Sequence, residues 1–231
     1  KSSMSSPNDQ RVIGDKPEFE EFDFSKFGSV NEQSLTRIQK QVAKNMARNW
    51  KAIPHVTQHD DIDVTDLETF RKEMEPTLGK LSAVAFIVKA VTIALKDFPQ
   101  LNASLKNDGE TLVLKEYIHI GLAVNVKEGL LVPVIKNADQ KGLRELSHEI
   151  GRLADGARDG ALTFQDFSGS SFTVSSLGKL GGTGFSPIIN HPEVAILGVG
   201  RSSDRLMMSE DGVSNRKVLP LSLSYDHRVI N

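Results

Sequence analysis

The chain has 231 residues, 39% of them hydrophobic and 25% charged, enough for one large domain with its own core. Lys and Arg number 28 against 30 for Asp and Glu, a formal charge of −2, so no basic face for nucleic acid is expected. Cysteine is absent, which excludes disulfides, thiolate metal sites and a cysteine nucleophile, and no apolar run has membrane-spanning length or reads as a signal peptide.

Residues 1–28, KSSMSSPNDQRVIGDKPEFEEFDFSKFG, are rich in Ser, Pro and acids without a sustained period. They read as a linker or N-terminal arm, with the folded domain expected over 29–231. Over 34–50, Leu35, Ile38, Val42 and Met46 recur at helical spacing, with Ser34 as the expected N-cap. Pro54 ends that helix, and HVTQHDDIDV reads as extended. A short helix capped by Thr65 is predicted over 65–74, and a buried helix, apolar nearly all round, over 82–98. From Tyr117 the period changes: YIHIGLAVNV and LLVPVI predict two strands about a turn at 127–129. A helix follows over 143–159, then three strand-like runs, SSFTVSS, VAILGVG and KVLPLSLSY. The charged runs DGARDG and SSDRLMMSEDG read as solvated loops. Helices and strands interleave without Rossmann regularity or an internal repeat, which predicts a mixed α/β or α+β domain.

Six histidines are candidates for chemistry. His55 and His59 have a metal spacing only if helical; on a strand they stand roughly 13 Å apart, at about 3.3 Å per residue. His119 alternates with apolar residues and reads as a core or interface histidine, His148 as solvated, and His191 as a loop residue before a proline. His227 differs, because an apolar strand from Leu219 to Tyr225 delivers it between Asp226 and Arg228 where the alternation breaks. The alternative reading of that trio is a strand-end charge cluster. Ser175 and Ser176 likewise end a strand and run into a loop with Gly178, Gly181, Gly182 and Gly184, whose glycines permit close backbone approach. No Walker or dinucleotide pattern accompanies them.

In chain order, LTRIQKQVAKNM, IPHVTQHDDIDVTDLETFRK, GLLVPVIKNADQK, FTVSSLGKLGGTGFSPIIN, PEVAILGVG and LPLSLSYDHRVIN resemble blocks of the dihydrolipoamide acyltransferases, the cores of the 2-oxo acid dehydrogenase complexes. The resemblance runs from about Phe27 to the end of the chain. It implies an α/β fold like that of chloramphenicol acetyltransferase, a two-layer sandwich with a mixed sheet and packed helices. It also implies a domain cut short after Asn231. The family signature H-x-x-x-D-G falls on His227 and Asn231, where Asn replaces the more frequent Asp and removes its charge. By the same resemblance His227 is the expected general base and Ser175 the oxyanion donor. Coenzyme A carries phosphates that call for a guanidinium, and Arg71 is the candidate, the alternative being a solvated helix residue; Arg37 is a possible partner of Asn231. Coenzyme A would be a substrate, with the lipoyl group carried on a separate domain. The glycine-rich blocks are most similar to the bacterial acetyltransferases of pyruvate dehydrogenase; succinyl and branched-chain relatives are the alternatives. Trimers, a 24-subunit cubic cage, the pyruvate dehydrogenase and dihydrolipoamide dehydrogenase components as partners, and a bacterial cytoplasmic location complete the expectation. Two rivals differ in kind: a serine acyl-enzyme using Ser175 as nucleophile, and a structural core protein without activity.

Overall fold

A computed structural model describes residues 21–79, 81–178, 181–209 and 212–231, so most of the expected linker lies outside the described residues. The chain divides into two units, one ending at Leu35 and one spanning Thr36–Asn231. In the first, Asp23 caps a single 3₁₀ turn, Phe24–Phe27, and the Phe22 ring stacks on Phe27 at 5.7 Å.

The second unit opens with helix α1, Arg37–Ala52, capped by Thr36 and not by Ser34. Thr36 Oγ1 accepts the Gln39 amide at 3.2 Å, and Gln39 Oε1 accepts the Thr36 amide at 2.9 Å. Three residues beyond Ser34 stands Arg37, which has no acceptor to return. Strand β1, His55–Asp63, follows Pro54. Helix α2 then runs over Thr65–Leu78, longer than predicted, tolerating Pro76 in its last turn and ending at Gly79, φ 76°; Thr65 is its first residue, not its cap. Asp63 takes the capping role by accepting the Thr65 amide and hydroxyl at 2.9 and 2.6 Å. Helix α3, Ala83–Asp97, is buried along one face only. Val88, Val91 and Leu95 enter the core, whereas Ile93 is 57% exposed, so its all-round apolar composition overstates its burial.

Strands β2, Ala103–Leu105, and β3, Leu112–Leu114, form a small hairpin of their own. Strand β4, Ile120–Val126, then pairs with both halves of LLVPVI, as β5, Gly129–Leu131, and β6, Val134–Ile135. The run breaks at Pro133 because proline has no amide to donate to a ladder. Helix α4, Leu143–Asp159, continues through most of DGARDG, supported by an Asp155–Arg158 pair at 2.8 Å, and ends at Gly160, φ 67°. Strands β7, Phe172–Ser176, and β8, Ala195–Val199, are followed by β9, Ser203–Ser209, and β10, Gly212–Asp226. The second predicted loop, SSDRLMMSEDG, is therefore chiefly strand. Its burial signal is weak because Leu206 and Met208 are 77% and 88% exposed.

The main sheet runs β1-β10-β8-β7-β4-β5, with β6 on β4 and β9 on β10. The β4–β7 and β7–β8 pairs are parallel and the others antiparallel, the mixed sheet expected. Helices α3 and α4 cover one face, where Val88, Leu146 and Leu153 pack with Ile120, Phe172 and Val174. No helix among the described residues is long and apolar enough to cross a membrane.

Candidate active site

Alternation along β10 sends Leu219, Leu221, Leu223 and Tyr225 toward the helices and Ser222, Ser224 and Asp226 to the opposite face. On that face the register aligns Ala123, Ser175, Gly198, Ser222 and His59 in one row across five strands. The Phe185 ring lies over Gly198, where an added Cβ would come within 2.7 Å of it. Ser222 Oγ accepts the Phe185 amide at 3.3 Å and lies 2.8 Å from His59 Nδ1. Ser175 is half-buried in this row, and its hydroxyl makes no hydrogen bond among the described residues.

His227 leaves the end of β10 with its amide donating to Pro54 O at 3.0 Å. Its ring is exposed, edge-on to Tyr225 at 6.2 Å, and unbonded among the described residues. The four residues from Ser222 to Asp226 cover roughly 13 Å, and the two strand spacings between β10 and β7 add roughly 10 Å sideways. One chain therefore does not bring the Ser175 hydroxyl and the His227 ring to a single reacting atom.

The other expected residues lie apart from this pair. Arg71 holds Glu68 at 2.8 Å and donates to Leu81 O at 3.3 Å; the Glu68 carboxylate raises its pKa. Glu68 lines a cavity of about 440 Å³ between α2, α3 and the strand ends, where Ser176, Gly178 and Arg201 also stand. Arg201 escaped the sequence reading; its only signal is its position two residues after β8. Asn231 and Arg37 are exposed, and neither side chain is hydrogen-bonded among the described residues.

The remaining histidines are engaged structurally or solvated. His55 Nε2 accepts the Ile189 amide at 2.9 Å, leaving Nδ1–H to donate to Ile53 O at 2.8 Å. His119 accepts the Asn137 amide at 3.1 Å and packs on Tyr117 at 4.5 Å; burial lowers its pKa. His191 also lies low, chiefly through burial and then through Arg48 and Arg228, and His148 is exposed. Among the described residues no group of three or more His, Asp or Glu could hold a metal.

Sequence reasoning also passed over Glu193, which is fully buried on the polar face. Burial pushes its carboxyl up to about 7 against hydrogen bonds from Thr173 and Ser170, the nearby Lys115 and a bond from Asn190. The Thr173 hydroxyl lies 2.6 Å from Oε2.

A mixed sheet with helices on one face and a histidine at the end of its longest strand, β10, has the architecture of chloramphenicol acetyltransferase. To that enzyme itself the chain has a TM-score of 0.52 at 15% identity, covering 81% of this chain and 86% of that one, a likeness of fold alone. The chain belongs to the family of 2-oxoacid dehydrogenases acyltransferase (catalytic domain), whose family model matches residues 27–231. It is 51% identical over 214 residues to the dihydrolipoyllysine-residue acetyltransferase component of the pyruvate dehydrogenase complex of Cupriavidus necator, covering 91% of this chain and 38% of that protein. The corresponding Haemophilus influenzae component is 50% identical over 215 residues, covering 90% and 38%. The chain thus spans well under half the length of these curated relatives. A solved structure of Azotobacter vinelandii dihydrolipoamide acetyltransferase superposes with a TM-score of 0.91 at 44% identity, covering 94% and 90% of the two chains. It belongs to an investigation of the roles of one serine, one histidine and one asparagine in that enzyme's catalytic mechanism. A structure of the cubic core of the pyruvate dehydrogenase multienzyme complex matches equally, with a TM-score of 0.91.

Proposed function

We propose that this domain transfers an acetyl group between a dihydrolipoyl thiol and coenzyme A, with His227 as general base and Ser175 as oxyanion donor. The carrying observation is that the structure leaves both side chains unbonded, one at a strand end and one on the polar face. The intervals from Ser175 to His227 and from His227 to Asn231 equal those between the serine, histidine and asparagine of the Azotobacter enzyme, which supports the reading.

A free thiol has a pKa near 8.5 and is only a few per cent thiolate at neutral pH, so a base is needed. An imidazole suits that task. His227 takes the proton of the attacking thiol, the sulfur adds to the thioester carbonyl, and the resulting oxyanion is held by the Ser175 hydroxyl. Collapse breaks the original C–S bond, and the departing sulfur recovers the proton from His227. Both acyl carriers are thiols, so no acyl-enzyme is required. A Ser175 nucleophile would need a base at its hydroxyl, and the histidine of its row, His59, bonds Ser222 instead.

Coenzyme A fits the cavity beside Ser176. Apolar walls from Leu67, Val84 and Ile87 suit a pantetheine arm, and Arg201 supplies a cation for the phosphates, while Arg71 stands behind Glu68, held by its carboxylate and outside the cavity lining. The separation of Ser175 and His227 in one chain is met by pairing them across two chains, with trimers built further into a 24-subunit cubic cage. The lipoyl group reaches the site on a separate domain, and the pyruvate dehydrogenase and dihydrolipoamide dehydrogenase components are the partners.

The test is turnover of acetyl-dihydrolipoamide with coenzyme A. His227→Ala is expected to lower the rate about 10²–10⁴-fold. Ser175→Ala should cost on the order of 10²–10³ in kcat with little change in KM. Near-wild-type turnover by folded His227→Ala protein would overturn the assignment, and a kinetically competent acetyl-Ser175 would overturn direct transfer.

A further inference from the structure

The residues on either side of His227 form a closed device that the reaction itself does not use. Asp226 is 2% exposed, yet its carboxylate takes every polar hydrogen that Arg228 directs at it. Oδ1 accepts the Arg228 amide at 3.0 Å and Nε at 2.9 Å, while Oδ2 accepts Nε at 3.2 Å and Nη2 at 2.6 Å. The backbone of Asp226 is tied at both ends. Its amide donates to Val194 O at 2.8 Å, and its carbonyl accepts the amides of Val229 and Ile230 at 2.9 and 3.0 Å. With the His227 amide on Pro54 O, the turn is bound to the start of β1, to the approach to β8 and to itself. No other side chain of the chain contributes a hydrogen bond to this carboxylate among the described residues.

Such a network is more than a strand-end charge cluster needs. A surface ion pair between exposed side chains holds little, whereas a carboxylate removed from water and gripped by a planar guanidinium fixes geometry. The imidazole it flanks is exposed and has no hydrogen bond of its own, so the backbone alone sets where the ring stands. A base that must meet a thiol and a hydroxyl from other molecules tolerates only about half an ångström of error.

We propose that Asp226 and Arg228 are positioning residues that fix the His227 backbone for proton transfer, acting through the turn and touching no substrate. This inference rests on the proposed role of His227. Its observable consequence is a loss confined to kcat, since the clamp is remote from the cavity assigned to coenzyme A.

The experiment compares Asp226→Asn, Arg228→Lys, Arg228→Met and the double variant Asp226→Asn/Arg228→Met in the assembled protein. Arg228→Met strands a buried carboxylate and is open to folding failure; the double variant removes both charges together and keeps the test decisive. Expected are a fall in kcat of about 10–100-fold for Asp226→Asn, unchanged KM for coenzyme A, partial recovery in Arg228→Lys, and a double variant no worse than its weaker parent, as for two parts of one device. A crystal structure of Asp226→Asn should show the His227 backbone displaced. Full kcat in a folded Asp226→Asn or double variant overturns the positioning role, as does a loss shared equally by KM. If the unmutated protein itself fails to transfer acetyl groups, the proposed function falls instead, and the displaced backbone remains the readout of the clamp.

Discussion

At the scale of single residues, the polar sheet face stands out for what it buries. Glu193 has no role in the proposed chemistry, but its carboxyl is raised from 4.5 to about 7, chiefly by burial. The folded chain therefore holds this proton where the unfolded chain has released it. The stability that this contributes is fully present below pH 4.5 and is lost as pH rises through about 7. Glu193→Gln keeps the neutral shape and cannot ionise. Between pH 5 and pH 8 the wild type is expected to lose about 2–3 kcal/mol relative to the variant, read from urea unfolding at matched chain concentration. A difference independent of pH would mean that Glu193 is ionised in the folded protein throughout.

At the scale of elements, the segment between β7 and β8 is fastened across the sheet at three points. Phe185 N–H meets Ser222, Ile189 N–H meets His55, and Asn49 donates to Ile189 O at 3.0 Å. The segment lies this close only because Gly198 has no side chain beneath the Phe185 ring. Gly198→Ala should force the ring off the strand and cost about 1–3 kcal/mol by overpacking, measured by denaturant unfolding. Adding Phe185→Leu, which leaves room for the methyl, should return most of that loss. The glycine was visible in VAILGVG, but nothing in the sequence marks Phe185 as its partner. The same limit explains the cap of α1. Two hydroxyl residues, Ser34 and Thr36, precede one helix, and the reciprocal bond with Gln39 decides between them.

At the scale of the whole molecule, the row that holds Ser175 and the strand end that holds His227 are too far apart to cooperate within one chain. Pairing across chains carries a direct consequence. His227→Ala and Ser175→Ala proteins, dissociated, mixed and reassembled, should regain part of the lost activity through interfaces that hold both intact residues. Each parent reassembled alone should stay at its own lowered rate. Absence of recovery in mixed assemblies of confirmed composition would confine the site to one chain and require another route between the two groups.

The order of elements, the mixed class and the strand-end positions of His227 and Ser175 were legible in the sequence because they rest on local quantities. Periodicity reports which face of an element is buried, Pro54 and Gly160 end helices by their backbone constraints, and a histidine at the end of an apolar strand interrupts a visible alternation. Strand β9 escaped because a strand with largely exposed side chains has no alternation to read, and α3 looked fully buried because composition does not say which neighbours arrive. The register of the sheet was beyond the sequence altogether. That Ser175, Gly198, Ser222 and His59 share one row, or that Asp226 is sealed by Arg228 while Glu193 is sealed by Thr173, depends on strands far apart in the chain meeting side by side. Local propensity selects the strands; only the packing of the whole chain chooses their partners, because pairing energy is spread over contacts that no single segment contains.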